Sequence, residues 1–167
     1  MAVEFMELDF KVGDVHLLTV GFGQAKGIMT NWRAPFKEMY QEYAAYEERV
    51  FASEGSAGLG KWAPLSPIYA KWKAIHFPGR PILTRTGRMR AAAKTLILLT
   101  EDRLVMGPGN MVPYAVYHEM GWGQRRRPFI QPNQTQIIKY REIARKHMIE
   151  ARKAAKQASQ PKAPNLQ

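Results

Sequence analysis

The chemistry open to this 167-residue chain is bounded by four histidines, 14 carboxylic acids and no cysteine. His16, His76, His118 and His147 stand far apart, and none has a second histidine at the helical step that puts two ligands on one face. His118 and Glu119 are adjacent in YAVYHEMGWG, but neighbours in sequence do not face each other on a helix, and no second histidine completes a zinc motif. In the basic half the acids are sparse: Glu101 and Asp102 in a turn, then Glu119, Glu142 and Glu150. No serine sits in the small-residue elbow of a hydrolase. The glycine-rich GFGQAKG (21–27) lacks the Lys-Ser/Thr ending of a phosphate loop and the helix that should follow it. Without cysteine there is no disulfide, thiol nucleophile or thiolate metal site, which fits a reducing compartment. The residues form no catalytic constellation, so the expectation is a protein that is not an enzyme and takes no metal or cofactor.

Positive charge is what the chain has in quantity. The net charge is +11 and unevenly spread. Residues 1–60 carry five Lys/Arg against nine Asp/Glu, whereas residues 61–167 carry 20 against five. Two clusters stand out, Arg85, Arg88 and Arg90, then Arg125, Arg126 and Arg127, with Trp62, Trp72 and Trp122 nearby. Such residues can hold phosphates and stack bases. One reading is therefore a non-catalytic nucleic-acid-binding protein using segments 61–95 and 125–162. The other is a solvated face, or cations that meet the acids of a neighbouring copy. No helix-turn-helix, zinc-finger or RNA-binding fingerprint supports sequence-specific readout.

The elements that position these residues follow from periodicity. Met6, Leu8, Phe10 and Val12 alternate with polar residues, Gly13-Asp14 turns, and Val15–Val20 is again apolar, so 5–20 reads as a hairpin. Over 31–54 the aromatic and aliphatic residues recur every three or four positions, with Asn31 as a cap, Pro35 in the first turn and Gly55 as a stop. SEGSAGLGKW reads as a flexible linker. In SPIYAKWKAIH, Ser66 caps a short helix, Pro67 suits its first position, and Ile68, Trp72 and Ile75 share one face. TRTGRMRAAAKTL opens another short helix, with Thr84 or Thr86 near its start. TLILL and LVMG make a second hairpin about TEDR within 95–106. YAVYHEMG is a short helix ending at Gly121, WGQRRRPFIQP an extended basic loop, and 134–156 a long helix with a Glu142–Lys146 pair. The fold class is α+β: a small antiparallel sheet of two hairpins, packed by a long helix in the N-terminal half and a long C-terminal helix. A single domain spans 1–156, its middle at 55–90 is loop-rich, and 157–167 has the composition of a disordered tail. The longest apolar run is too short to cross a membrane, and MAVEFMELDF carries acids where a secretory signal has bases.

Four blocks in order carry a resemblance. GKWAPLSPIYAKWK, PILTRTGRMRAAA, YAVYHEMGWG and RRRPFIQP place W-x-P-L-S-x-x-Y at Trp62–Tyr69, I-L-x-x-T-G-x-M at Ile82–Met89, Y-A-x-x-H-x-x-G at Tyr114–Gly121 and R-P-F-I at Arg127–Ile130. In that order the chain resembles the phage virion morphogenesis (tail completion) family over about residues 32–150. The hairpin at 5–20 lies outside the pattern, and RRRPF is more basic than the family's block. The resemblance implies a structural virion protein, assembled in the host cytoplasm, at the tail end or head–tail junction. It would form a ring, with a hexamer as the family expectation. The ring completes or terminates the tail and joins it to the head. It implies no cofactor and no turnover. The implied partners are other copies of itself, the tail tube protein, and a head–tail connector or stopper protein, with contact to packaged DNA and none to membrane.

On that reading the aromatic, proline-punctuated stretch is a docking part. Trp62, Pro64, Leu65, Tyr69 and Trp72 supply apolar anchors that lose little entropy on association. Arg85, Arg88, Arg125, Arg126, Arg127 and Phe129 complete the expected interface. The acidic first part of one copy would meet the basic second part of the next, as head-to-tail ring contacts allow. Reversing the charge of Arg125, Arg126 and Arg127 would then weaken assembly.

Overall fold

A computed structural model describes residues 30–159 in full, together with the backbone of 7–11 and 17–21. The chain runs β1 (Glu7–Lys11), β2 (Leu17–Gly21), α1 (Arg33–Ala52), α2 (Pro67–His76), α3 (Arg88–Ala93), β3 (Leu96–Leu99), β4 (Arg103–Met106), α4 (Ala115–Met120) and α5 (Gln134–Ala158). The expected α+β class is observed. β1–β2 and β3–β4 are antiparallel pairs, and β2 also pairs antiparallel with β4, which joins them into one sheet of order β1-β2-β4-β3. The predicted turn at Gly13-Asp14, the loop at 22–27 and the tail from 160 onward lie outside the described residues. Helix α5 runs to Ala158, slightly beyond its expected end.

Helix α1 is the centre. Trp32, just before it, with Phe36, Met39, Tyr43, Val50 and Phe51 on it, forms most of the core with Leu104, Met106, Phe129 and Tyr140. One side of α1 meets β3 and β4, another meets α3, and α5 packs along it. Three tyrosines at three-residue spacing bury their rings wholly or in part and aim hydroxyls at main-chain carbonyls. Tyr40 donates to Lys94 O at 2.9 Å, Tyr43 to Ala93 O at 2.9 Å, and Tyr46 to Gln131 O at 3.3 Å. A buried phenol needs such a partner, so each bond fixes where a different segment lies against α1.

Three of the four acids of α1 are engaged in ion pairs within the chain. Glu38 meets Lys146 at 2.8 Å and His147 at 2.9 Å. Glu42 meets Lys139 at 2.7 Å and Arg49 at 3.1 Å. Glu48 meets Lys94 at 2.7 Å and also Arg90. Hydrogen bonds from Arg90 and then Lys94 hold the Glu48 carboxyl down to about 2. The Glu142–Lys146 pair expected along α5 is not what forms, because Lys146 reaches across to Glu38. The cross-helix carboxylate competes better because packing brings α1 and α5 together.

The stretch after α1 is no flexible linker. Glu54 N–H bonds Phe51 O at 3.4 Å and Gly55 N–H bonds Val50 O at 2.8 Å, a Schellman ending in which Glu54, at φ 51°, takes the left-handed position. A Cβ on Gly55 would lie 2.5 Å from Gly60 O and from the Trp62 ring, so only glycine fits there. Trp62 N–H then closes on Glu54 O at 2.7 Å, and Asn133 Nδ2 donates to Ala57 O at 2.9 Å.

Glu47 is fully buried, and neither carboxyl oxygen has a partner. Burial pushes its pKa well above the ordinary 4.5, and the charge of Glu119 adds to the push. The unfolded chain releases this proton near pH 4.5 while the folded chain keeps it, so Glu47 costs more stability as pH rises above 4.5. Glu47→Met therefore stabilises the fold by about 1–3 kcal/mol near neutral pH. Urea unfolding at neutral and at mildly acidic pH should show the gain shrinking toward pH 4.5.

Candidate assembly interface and basic cleft

Helix α2 forms as its sequence predicts. Ser66 Oγ accepts the Tyr69 N–H at 3.4 Å and Pro67 occupies the first turn. Ile68, Trp72 and Ile75 do share one face, but that face points to water. Ile68 is 85% exposed and Ile75 77%, while Lys73 on the other side is only 5% exposed. Burial lowers the Lys73 pKa, and its ammonium donates to Pro81 O. Trp72 is partly exposed and sandwiched between Tyr69, stacked at 5.5 Å, and His76, stacked at 4.6 Å. Much of its ring contact is thus made within the helix.

The expected interface residues divide into two groups. Trp62 is core: it is 3% exposed, packs edge-on to Phe51 at 5.3 Å, and its indole Nε1 donates to Pro128 O at 2.8 Å. Phe129 is also core, against Phe51 at 5.3 Å. Arg127 is 6% exposed and donates through Nε to Ala63 O at 2.8 Å and through Nη2 to Pro64 O at 3.0 Å. These three residues are corrected from docking anchors to internal ones. An indole, a phenyl ring and a guanidinium fork all find better-satisfied positions where the 62–64 and 127–129 segments meet. Arg126 is exposed, yet its Nε is held by Glu119 O at 2.8 Å. Pro64, Tyr69, Trp72, Arg85, Arg88 and Arg125 remain exposed, and Leu65 is half-buried.

The carboxylates of Glu38, Glu42 and Glu48 are matched to bases of the same chain, so α1 offers a neighbour no spare acidic face. Arg85, Arg88 and Arg125 make no ion pair with any described residue. They converge instead on a cleft of about 600 Å³ that Lys73, Arg127 and His118 also line, with Tyr69 and Tyr114 beside them. Among the described residues no carboxylate lines it. Burial, and then the Arg127 charge, pushes His118 down to about 4, so its ring is neutral at neutral pH, and its buried Nδ1 has no partner. The His118 side chain is half-buried.

Glu119, next in sequence, is buried for a different reason. Its Oε2 accepts Phe129 N–H at 2.8 Å and Ile130 N–H at 3.2 Å, which holds the RRRPF segment against α4. Gly121, in the left-handed region at φ 79°, ends α4 close against Arg126.

Sequence reasoning did not single out β3. This strand lies at the sheet edge, and Leu96, Ile97 and Leu98 are all exposed, with a bulge between Leu96 and Leu98. Tyr114, Tyr117 and Trp122 are exposed too. The continuous run LILL was the available signal, but a run reads as buried unless the strand is known to be an edge. Comparisons of the chain with protein-family models, curated proteins and solved structures find no match.

The division has a direct consequence. Trp62→Ala should cost about 3–5 kcal/mol in chemical unfolding. Trp72→Ala, which removes contacts to Tyr69, His76 and Phe77 at a partly exposed position, should cost about 1 kcal/mol or less. Equal losses would mean that Trp72 is also part of the monomer core.

Proposed function

We propose that this chain is a structural virion protein of a phage, a ring-forming subunit at the tail end or head–tail junction. The ring completes or terminates the tail and joins it to the head connector. The four ordered sequence blocks supply the identity of the proposal, and the outward apolar face of α2 supplies its physical support. A subunit that works alone gains nothing by turning Ile68 and Ile75 to water while burying Lys73. Such a face has reason to exist if another surface covers it.

The occupant in this reading is a second copy. Head-to-tail ring contacts join two different patches of one chain, and two exposed apolar patches of the described residues lie on elements far apart in sequence. One is Ile68, Tyr69, Trp72 and Ile75 on α2, and the other is Leu96, Ile97 and Leu98 on the β3 edge. Apolar cover drives the association, since the α1 acids are already taken. Pro64 and Leu65, just before α2, extend the first patch. The tail tube and a connector or stopper protein would meet the faces above and below the ring. The work is geometric, with no turnover.

Light scattering after size exclusion tests this directly. The expected species is a discrete closed oligomer, six copies by the family expectation, and Ile68→Glu/Ile75→Glu should yield a folded monomer with unchanged helix content. An unchanged oligomer in that variant would remove α2 from the interface. A wild-type monomer that also fails to assemble on purified tail tubes would defeat the ring reading.

A further inference from the structure

We infer that the cleft between α2, α3 and the Arg125–Arg127 loop is a binding site for the backbone phosphates of nucleic acid. The inference does not rest on the ring reading. It comes from the cations that the fold gathers there and leaves without an ion pair among the described residues.

Three exposed guanidiniums come from two separate segments of the chain. Arg85 precedes α3 and lies 5.9 Å over the Phe77 ring, Arg88 opens α3, and Arg125 follows α4. Two further cations, Lys73 and Arg127, are more than nine-tenths buried in the wall. Their partners are main-chain carbonyls, which satisfy hydrogen bonds without cancelling charge. Burial penalises both charges, and a nearby carboxylate, Glu54, offsets this only for Lys73, so a negative ligand beside Arg127 is favoured. His118 adds an unpartnered ring nitrogen to the same wall. Guanidinium forks match phosphate oxygens in pairs, and hydroxyls of Tyr69, Tyr114 and Thr86 line the same cleft.

The same observations select the ligand. The α1 carboxylates Glu38, Glu42 and Glu48 of a second copy are a poor source of the anion, because they are already ion-paired within their own chain. Base stacking on Trp72 is also disfavoured, since Tyr69 and His76 already stack on it. What remains is repeated charge with little need for base contact, which is a phosphodiester backbone read without sequence preference.

The test is fluorescence anisotropy with a labelled DNA duplex of about 20 base pairs, titrated at several salt concentrations. A polyglutamate peptide of matched charge serves as competitor. The triple variant Arg85→Ala/Arg88→Ala/Arg125→Ala should lose about tenfold or more in affinity and about 2–3 in the slope of log K against log salt. A control triple, Arg152→Ala/Lys153→Ala/Lys156→Ala, removes the same charge from the exposed end of α5 and should lose about threefold or less. Thermal melts of both triples should match wild type, since none of the six residues makes an ion pair with a described residue. The single variant Arg125→Glu gives a second reading, with a larger loss than Arg125→Ala. Equal losses in the two triples would overturn the site, as would absence of duplex binding at low salt. Stronger competition by polyglutamate than by unlabelled duplex would assign the cleft to an acidic protein segment instead.

Discussion

Helix α1 is hemmed in on several sides, and most of the molecule is arranged by what that requires. It meets the sheet, α3 and α5, so its side chains must be apolar or individually partnered. The tyrosine hydroxyls at 40, 43 and 46 answer the need by binding carbonyls of segments far away in sequence. Each bond is modest on its own, but an unpaired buried hydroxyl would be costly, so the positions of Ala93, Lys94 and Gln131 are tightly constrained. The glutamates on the flanks of α1 do the same for α3 and α5 through ion pairs. Glu47 is the exception, a buried carboxyl with no partner.

A second set of bonds decides which way α2 faces. Trp62 Nε1 on Pro128 O and the Arg127 fork on Ala63 O and Pro64 O tie the two loops that flank the cleft. With the chain pinned just before α2, and Lys73 held on Pro81 O, Ile68 and Ile75 are left outside. The same pinning brings Arg125 toward Arg85 and Arg88. Apolar face and basic cleft are therefore two results of one local arrangement, and Tyr69 contributes to both.

Much of the fold was legible. The β3–β4 hairpin, the Ser66 cap with Pro67, and the glycine end of α4 all rest on local backbone chemistry, which a sequence displays. The candidate site was only half legible. Arg85, Arg88 and Arg125 were recognisable as cations, and Tyr69 and Trp72 as exposed anchors. Trp62, Arg127 and Phe129 looked equally suited to an interface, yet they are internal. Residue type does not distinguish an aromatic that docks on a partner from one that docks on its own chain, because both bury area and seek a polar partner.

The sequence by itself determined the α+β class, the places of the main helices and of the second hairpin, and the surplus of positive charge in residues 61–167. Those follow from periodicity, caps and composition, which are local or additive. Only the tertiary structure decided that the α1 acids are spent within the chain, that α2 presents its isoleucines to water, and that five cations share one cleft. An amphipathic pattern says that a helix has two faces but not which one is covered. A charge count says how many cations there are but not which have partners. Both answers depend on contacts between residues distant in sequence.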